Sequence, residues 1–459
     1  GGPFTDAAIV DLSDADAGTA QIERDDQIYR LVFASSPTYA GDAVLRFTLS
    51  NATGTSEPGT ITLTIIGRPD PSQDPEVIGL LSAQADAARR FARVQTRNFN
   101  DRLEQLHDEG DRRRNSMNVR LGIVQSDRTS RAEREIQRMI EDGHGANAEN
   151  VVQGLLAYGP EGATGARSSS GDENGAPATT FASPDLGSFA VWTGGFVNFG
   201  ERENGGLDID HTMVGLSGGV DYRFSDKFVA GFGAGYGRDR SDIGGNGTES
   251  RASAYSAAIY GSYKPFRNVF IDGLIGGSWL DFDSNRYITS TGDFASGTRS
   301  GHQFFGSVTA AYDYRDDTWL ISPYGRIEFS RSWLDGFTEK GSDSMALRYG
   351  DQTVDSVSGV LGLRAEYTFM LDWGTLTPGA RFEYTHDFIG SSRAHLGYAD
   401  LGGLPYVVEI ESAEQNYATL GLSLDATLPQ DWSLGFDYRT SLGRDQQDHA
   451  IGLRVGKKF

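Results

Sequence analysis

The sequence predicts an all-β protein: a 12-stranded antiparallel transmembrane β-barrel with a pore-spanning α-helix and an N-terminal Ig-like β-sandwich module. Three observations carry the prediction. Residues 188–459 alternate apolar and polar side chains over about twelve segments, most of them as long as a membrane-crossing strand requires. The connections between those segments alternate short and long. One stretch, 76–110, keeps a helical period instead.

Composition narrows the function classes. The chain has 459 residues and a net charge of -22, which argues against nucleic acid, since phosphate binding needs a basic stripe. Cysteine is absent, so there is no disulfide framework and no thiol nucleophile. Mean hydropathy is -0.40 and no window holds the run of apolar residues that a membrane-spanning helix needs, whereas a barrel strand shows only one apolar face. The first residues, "GGPFTDAAIV", lack a Met and a basic leader, so a processed or truncated piece is expected.

Residues 1–67 carry short strands, "QIYRLVF", "AVLRFTLSN" and "GTITLTII", separated by turn-rich stretches. They predict an incomplete Ig-like module. Residues 68–75 are a Pro-rich linker. Over 76–110, Ile78, Leu81, Ala85, Ala88, Phe91, Ala92, Val94, Phe99, Leu103 and Leu106 recur at helical spacing. The same helix is basic in its middle, with Arg89, Arg90, Arg93, Arg97 and Arg102 against Asp86 and Asp101. Residues 111–187 are low in complexity and predict a flexible linker or insertion.

From 188 to 459 the period is two. Phe228, Ala230, Phe232, Ala234 and Tyr236 share one face, with Gly231, Gly233 and Gly235 on the other. Segments 188–200 and 268–281 are ambiguous in face. Short connections such as "SDK" (225–227) and "PQD" (429–431) alternate with long ones at 241–250, 286–300, 335–355 and 390–415. The apolar face meets lipid. The polar face carries three Arg-x-Glu pairs, Arg326 and Glu328, Arg364 and Glu366, Arg381 and Glu383, which predict a charge ladder in the lumen. Asp221 with Arg223 and Asp437 with Arg439 extend it. The ladder reads either as a self-neutralising wall or as a cradle for the Arg-rich helix. A helix is about 10–12 Å across, so one could plug a twelve-stranded pore.

The order of Ig-like strands, "RRFARVQTRNFNDRLEQLH" helix, twelve-strand barrel and terminal Phe resembles a type V secretion autotransporter. "VDYRFSDKFVAGFGAGYGRDRSDIG" and "FEYTHDF" are similar to its barrel strands. The resemblance implies an outer-membrane translocator in a Gram-negative bacterium that exports and anchors its own N-terminal passenger. It also implies partners: outer-membrane lipids and lipopolysaccharide, the barrel-assembly machinery and periplasmic chaperones. "IGLRVGKKF" resembles the C-terminal β-signal, with Ile451, Leu453, Val455 and Phe459 as its apolar positions and Lys457 as a departure. Some members cut themselves between two adjacent Asn residues of the pore helix. The matching pair here is Arg97 and Asn98. Arginine cannot cyclise as asparagine does, so the passenger is expected to stay uncleaved; Asn98 and Asn100 read as ordinary helix residues.

Catalytic motifs are weak. The seven His residues are scattered; "DIDH" (208–211) and "YTHDF" (384–388) put His211 and His386 near acids. "DFDSN" (281–285) and "DADAG" (14–18) are poor calcium loops. The expectation is therefore no enzyme, no cofactor and no metal, with an adhesive passenger. A porin-like channel or a loop-active barrel enzyme is the alternative.

Overall fold

The computed structural model describes residues 3–107, 116–121 and 189–458, apart from short breaks within the first and last of these ranges. Most of the expected 111–187 linker, and the terminal Phe459, lie outside the described residues.

The N-terminal strands form two small antiparallel sheets. In one, β1 (Asp6–Leu12) pairs with β4 (Gly41–Asn51), which also pairs with β5 (Gly59–Ile65). In the other, β2 (Gly18–Asp25) pairs with β3 (Ile28–Ser35). Their shared interior is thin. Ala17, Ala43 and Leu45 are buried, while Val10 and Ile28 are exposed.

Helix α1 (Pro75–Gln105) follows. Asp74 caps it, accepting from the N–H of Glu76 at 3.0 Å, and Pro75 fits the first turn, where its missing N–H costs nothing. Thirty-one residues at 1.5 Å each span about 46 Å, more than a bilayer core. The helix is polar on several sides yet buried on nearly all of them. Such a helix is stable only where its surroundings supply partners for every polar side chain.

The barrel supplies them. A short strand, β6 (Ser116–Leu121), precedes it. The first seven barrel strands are β7 (Phe189–Asn204), β8 (Leu207–Ser225), β9 (Phe228–Ile243), β10 (Thr248–Phe266), β11 (Val269–Tyr287), β12 (Phe294–Tyr312) and β13 (Trp319–Leu334). Two short loop strands follow, β14 (Phe337–Thr338) and β15 (Leu347–Tyr349). The wall resumes with β16 (Gln352–Tyr367) and β17 (Gly374–Asp387). The loop strands β18 (Ser391–Tyr398) and β19 (Tyr406–Glu411) come next. The wall ends with β20 (Asn416–Thr427), β21 (Trp432–Leu442) and β22 (Gln446–Lys458). Each wall strand pairs antiparallel with its neighbours in sequence, and β22 returns to β7 to close twelve strands. At the seam, β7 takes Gln446–Ile451 of β22 and β6 takes Leu453–Lys458.

The outside is apolar. Phe232, Ile259, Trp279 and Leu361 are each more than half exposed, as lipid-facing side chains are when lipid is absent. Among the described residues no helix is long and apolar enough to cross a membrane; the strands make the crossing. At one end the connections are tight turns. Asp316 illustrates how they close: its carboxylate accepts the N–H groups of Thr318 and Trp319 at 2.8 and 2.7 Å, which holds it below the usual carboxylate range.

The other end differs from expectation. Two of the four long connections are largely paired strand, leaving 244–247 and 288–293 as the only turns between β9 and β10 and between β11 and β12. Their strands run to 16–19 residues because they continue as paired ribbons past the membrane thickness. The two remaining long loops build a second sheet, β14–β15–β18–β19, over that mouth. Its Leu347, Tyr349, Leu396, Val408 and Ile410 pack on Val77, Leu81 and Ala85 of the helix.

The faces of β7 and β11, ambiguous in sequence, are now explained. Trp192 of β7 and Leu274 of β11 point inward, with Tyr260 of β10 and Phe305 of β12, and enclose Phe99 and Leu103 of α1 and its C-cap Leu106. The lumen is apolar where the helix docks, so both faces of those strands are apolar.

Candidate functional site: the plugged lumen

The helix runs from the long-loop end, where Ala83 packs on Ile209 and Ile243, to the short-turn end, where His107 stacks on Phe270. Glycines on β9 let it approach the wall. A Cβ at Gly233 would lie 2.6 Å from the Phe99 ring, and one at Gly235 would lie 2.6 Å from the Gln95 amide.

Buried ion pairs fix its rotation. Arg90 donates from Nε and Nη2 to the two carboxylate oxygens of Asp239 at 2.9 and 2.8 Å, and also to Ser241 at 3.1 Å. Arg102 donates from Nε to Asp221 at 2.8 Å, and the Tyr260 hydroxyl donates to the same carboxylate. Asp86 accepts from Arg89 at 3.2 Å and from Arg202 of β7 at 2.5 Å. Arg202 also donates to the Glu411 carbonyl at 3.0 Å, tying helix, wall and loop sheet together. Asn98 donates to Ser217 at 3.0 Å, and Asn100 accepts from Ser307 at 3.0 Å. His107 bridges Asp272 and Asp313 at 2.9 and 3.1 Å.

The Arg-x-Glu ladder lies on the opposite wall. Arg326 donates to Glu328 at 2.6 Å and to Glu383 at 3.1 Å, and Arg364 is 3.6 Å from Glu366. In register, Arg364 faces Arg381 directly. Like charges so placed repel. Glu104 of the helix relieves them, accepting from Arg364 at 3.1 Å and from Arg381 at 2.9 Å. The ladder's ion pairs to the helix thus run through an acid, while Arg90 and Arg102 reach carboxylates on β9 and β8. Arg439 reaches across to Asp101 at 2.8 Å. Arg93 lies over the Tyr417 ring at 5.4 Å.

Asp221 was named in sequence with the ladder read as a cradle for the Arg-rich helix, whereas Asp239, Asp272, Asp313 and the Trp192–Tyr260 pair were not singled out. Their signal is an acidic or aromatic residue on an inward position, which needs the register to be read. His211 is a buried lumen residue held at 3.1 Å from Asn198, and His386 sits 2.8 Å from Asn416 on the exterior; the two do not meet. The backbone of β22 pairs Ile451, Leu453 and Val455 with Tyr438, Phe436 and Leu434 of β21.

At the long-loop mouth the chain entering the helix is gripped. Arg68 makes two 2.6 Å hydrogen bonds to Asp400, which hold that carboxyl below its usual range, and the Tyr398 hydroxyl donates to the Pro69 carbonyl at 2.6 Å.

The family model described as "Autotransporter beta-domain" matches residues 191–439, more than half of the chain. The chain belongs to the autotransporter beta-domain family. The autotransporter barrel is an outer-membrane translocator of Gram-negative bacteria. Relatives include Esterase EstA of Pseudomonas aeruginosa, 25% identical over 283 residues that cover 58% of this chain and 42% of the relative. Lipase 1 of Photorhabdus luminescens is 25% identical over 55% of this chain and 39% of its own length. The matches thus span less than half of either relative. Among solved structures, the translocator domain of autotransporter NalP from Neisseria meningitidis is 16% identical, with a TM-score of 0.47, covering 59% of this chain and 87% of that one. These relatives correct one expectation. The expectation of "no enzyme" is overturned, because relatives that match more than half of this chain are named esterase and lipase. The reading rested on the weakness of catalytic motifs within this chain, whose match spans less than half of either relative.

Proposed function

We propose that this autotransporter barrel exports the chain N-terminal to α1, keeps it at the cell surface, and retains α1 as plug and tether. The observation that carries the reading is the direction of the helix: its N-terminus and the preceding Arg68 sit at the long-loop mouth. On this reading residues 1–67 are a surface module, 68–75 a linker, 76–110 the pore helix, 111–187 a linker and 188–459 the translocator. Outer-membrane lipids and lipopolysaccharide surround the wall. Periplasmic chaperones and the barrel-assembly machinery act on the unfolded chain, the latter through Ile451, Leu453, Val455 and Phe459. The names of the esterase and lipase relatives favour a hydrolytic passenger for the whole protein over a purely adhesive one. A porin-like role is disfavoured by the helix in the lumen.

Protease added to intact cells, followed by sizing with an antibody to the C-terminus, tests export. Loss of residues 1–67 with a protected fragment starting near the helix is expected. An untouched full-length chain in the outer-membrane fraction refutes it.

Arg97 keeps the passenger attached. Cyclisation needs a side-chain amide nitrogen to bond to its own backbone carbonyl carbon, breaking the peptide bond and leaving the proton on the departing amine. The unmodified chain is expected to stay intact, whereas Arg97→Asn restores an amide at that position. N-terminal sequencing should then find a new start at Asn98 in the R97N variant; an equally intact R97N chain would show that the lumen does not promote this step.

A further inference from the structure

The inner half of α1 is seated off-centre. Phe99, Leu103 and Leu106 pack on β7 and β9–β12, and a cleft remains between the helix and the wall of β13, β16, β17, β20 and β21. The carboxylates in that cleft are already engaged. Asp101 accepts from Arg439, and Glu328 from Arg326. Glu383 accepts from Arg326 at 3.1 Å and from the Tyr324 hydroxyl at 2.5 Å, and lies 3.5 Å from Arg381.

Two further guanidiniums line the same space. Arg93 has the face of Tyr417. Arg97, one turn on, has no ion-pair or hydrogen-bond partner among the described residues. Over the two lobes five arginines (Arg93, Arg97, Arg326, Arg381, Arg439) meet four carboxylates (Asp101, Glu328, Glu383, Asp437), Arg381 also pairs with Glu104, and Arg97 is left without an acceptor among the described residues. Uncompensated charge inside a barrel is costly, and a bound counter-ion is the direct remedy. Arg97 and Arg439 line both lobes of the cleft, and each lobe has room for about one or two water-sized occupants. That space matches a monatomic anion more closely than a phosphate or a larger organic acid.

We propose that the lumen binds a halide ion, chloride being the natural one, on the Arg97 guanidinium with Arg93 beside it. The ion supplies the acceptor that the Arg97 guanidinium lacks and allows an arginine to stand at this point of the helix.

Bromide tests the site in the full chain. Crystals grown in sodium bromide should show anomalous density in contact with the Arg97 side chain, and R97Q should lose it. Density confined to the outer surface, or unchanged in R97Q, overturns the proposal. A second readout uses the temperature at which the folded band converts to the unfolded one on a gel. At equal ionic strength it should be higher in chloride than in gluconate. R393Q, which removes an exposed loop arginine, should retain that difference, and R97Q should abolish it. Equal transition temperatures for the unmodified chain in the two salts, or a difference that survives R97Q, would also overturn it. Should R97Q fail to fold, the bromide map of the unmodified chain decides alone.

Discussion

Gly233→Val is expected to leave the barrel inserted and its pore open. The argument begins with space. A Cβ at Gly233 meets the Phe99 ring at 2.6 Å and the Gly218 carbonyl at 2.8 Å, both well inside van der Waals contact. The Phe99 ring cannot swing aside, because Trp192 and Tyr260 hold it with centroids at 5.4 Å on both counts. Valine adds two further methyls in the same direction. Overpacking of this kind typically costs about 1–3 kcal/mol, and here the helix is the part that can leave, since the wall is fixed by its ladder of hydrogen bonds. A helix about 10–12 Å across fills much of the lumen, so its displacement should raise single-channel conductance in a planar bilayer roughly tenfold. The double variant F99A/G233V removes the ring that the methyls strike and should recover part of the closed state. Neighbouring Gly235 supplies the contrast: a Cβ there meets only the flexible end of Gln95, so G235A should conduct like the unmodified chain. If G233V conducts no more than the unmodified chain, close approach at β9 is not what seats the plug.

How far the sequence could be read follows from the same contacts. Period-two alternation exposes the wall because lipid imposes one apolar face on every strand, and the outward residues Phe232, Ile259 and Trp279 obey it. The helix was legible from its apolar spacing, while its cap at Asp74 lay inside the stretch read as linker. What the plug touches was not legible. Arg90 finds Asp239 149 residues away, and Arg102 finds Asp221 119 residues away; such pairings depend on register and helix rotation together. The Arg-x-Glu ladder was visible as three pairs, yet its link to the helix is Glu104, an acid in a helix noticed for its bases. The ambiguous strands had a physical cause, since Trp192 and Leu274 make the inner face apolar where the plug docks. The loop sheet escaped because its strands are only 2–8 residues long and pair across two separate loops.

Breaking one partner of the Arg90–Asp239 pair should destabilise the plugged barrel far more than removing both. The two side chains are 8% and 1% exposed and make two parallel hydrogen bonds. Arg90→Met leaves the Asp239 carboxylate in the interior with Ser241 as its remaining side-chain donor among the described residues. The expected cost is about 3–5 kcal/mol, because an uncompensated buried charge loses its partner without regaining water. The variant R90M/D239L removes both charges and keeps similar volume, so most of that loss should return. The exposed bidentate pair of Arg68 and Asp400 is the internal control. With side chains 23% and 43% exposed, its removal in R68A should cost no more than about 1 kcal/mol. Unfolding midpoints in urea, read in the same detergent for all four chains, measure the three differences. Equal destabilisation by R90M and R90M/D239L would mean that shape and not charge fixes the helix at this level. In that case the apolar ring around Phe99 would be what sets the rotation of the plug, and the arginines would serve only to keep a buried helix neutral against an acidic wall.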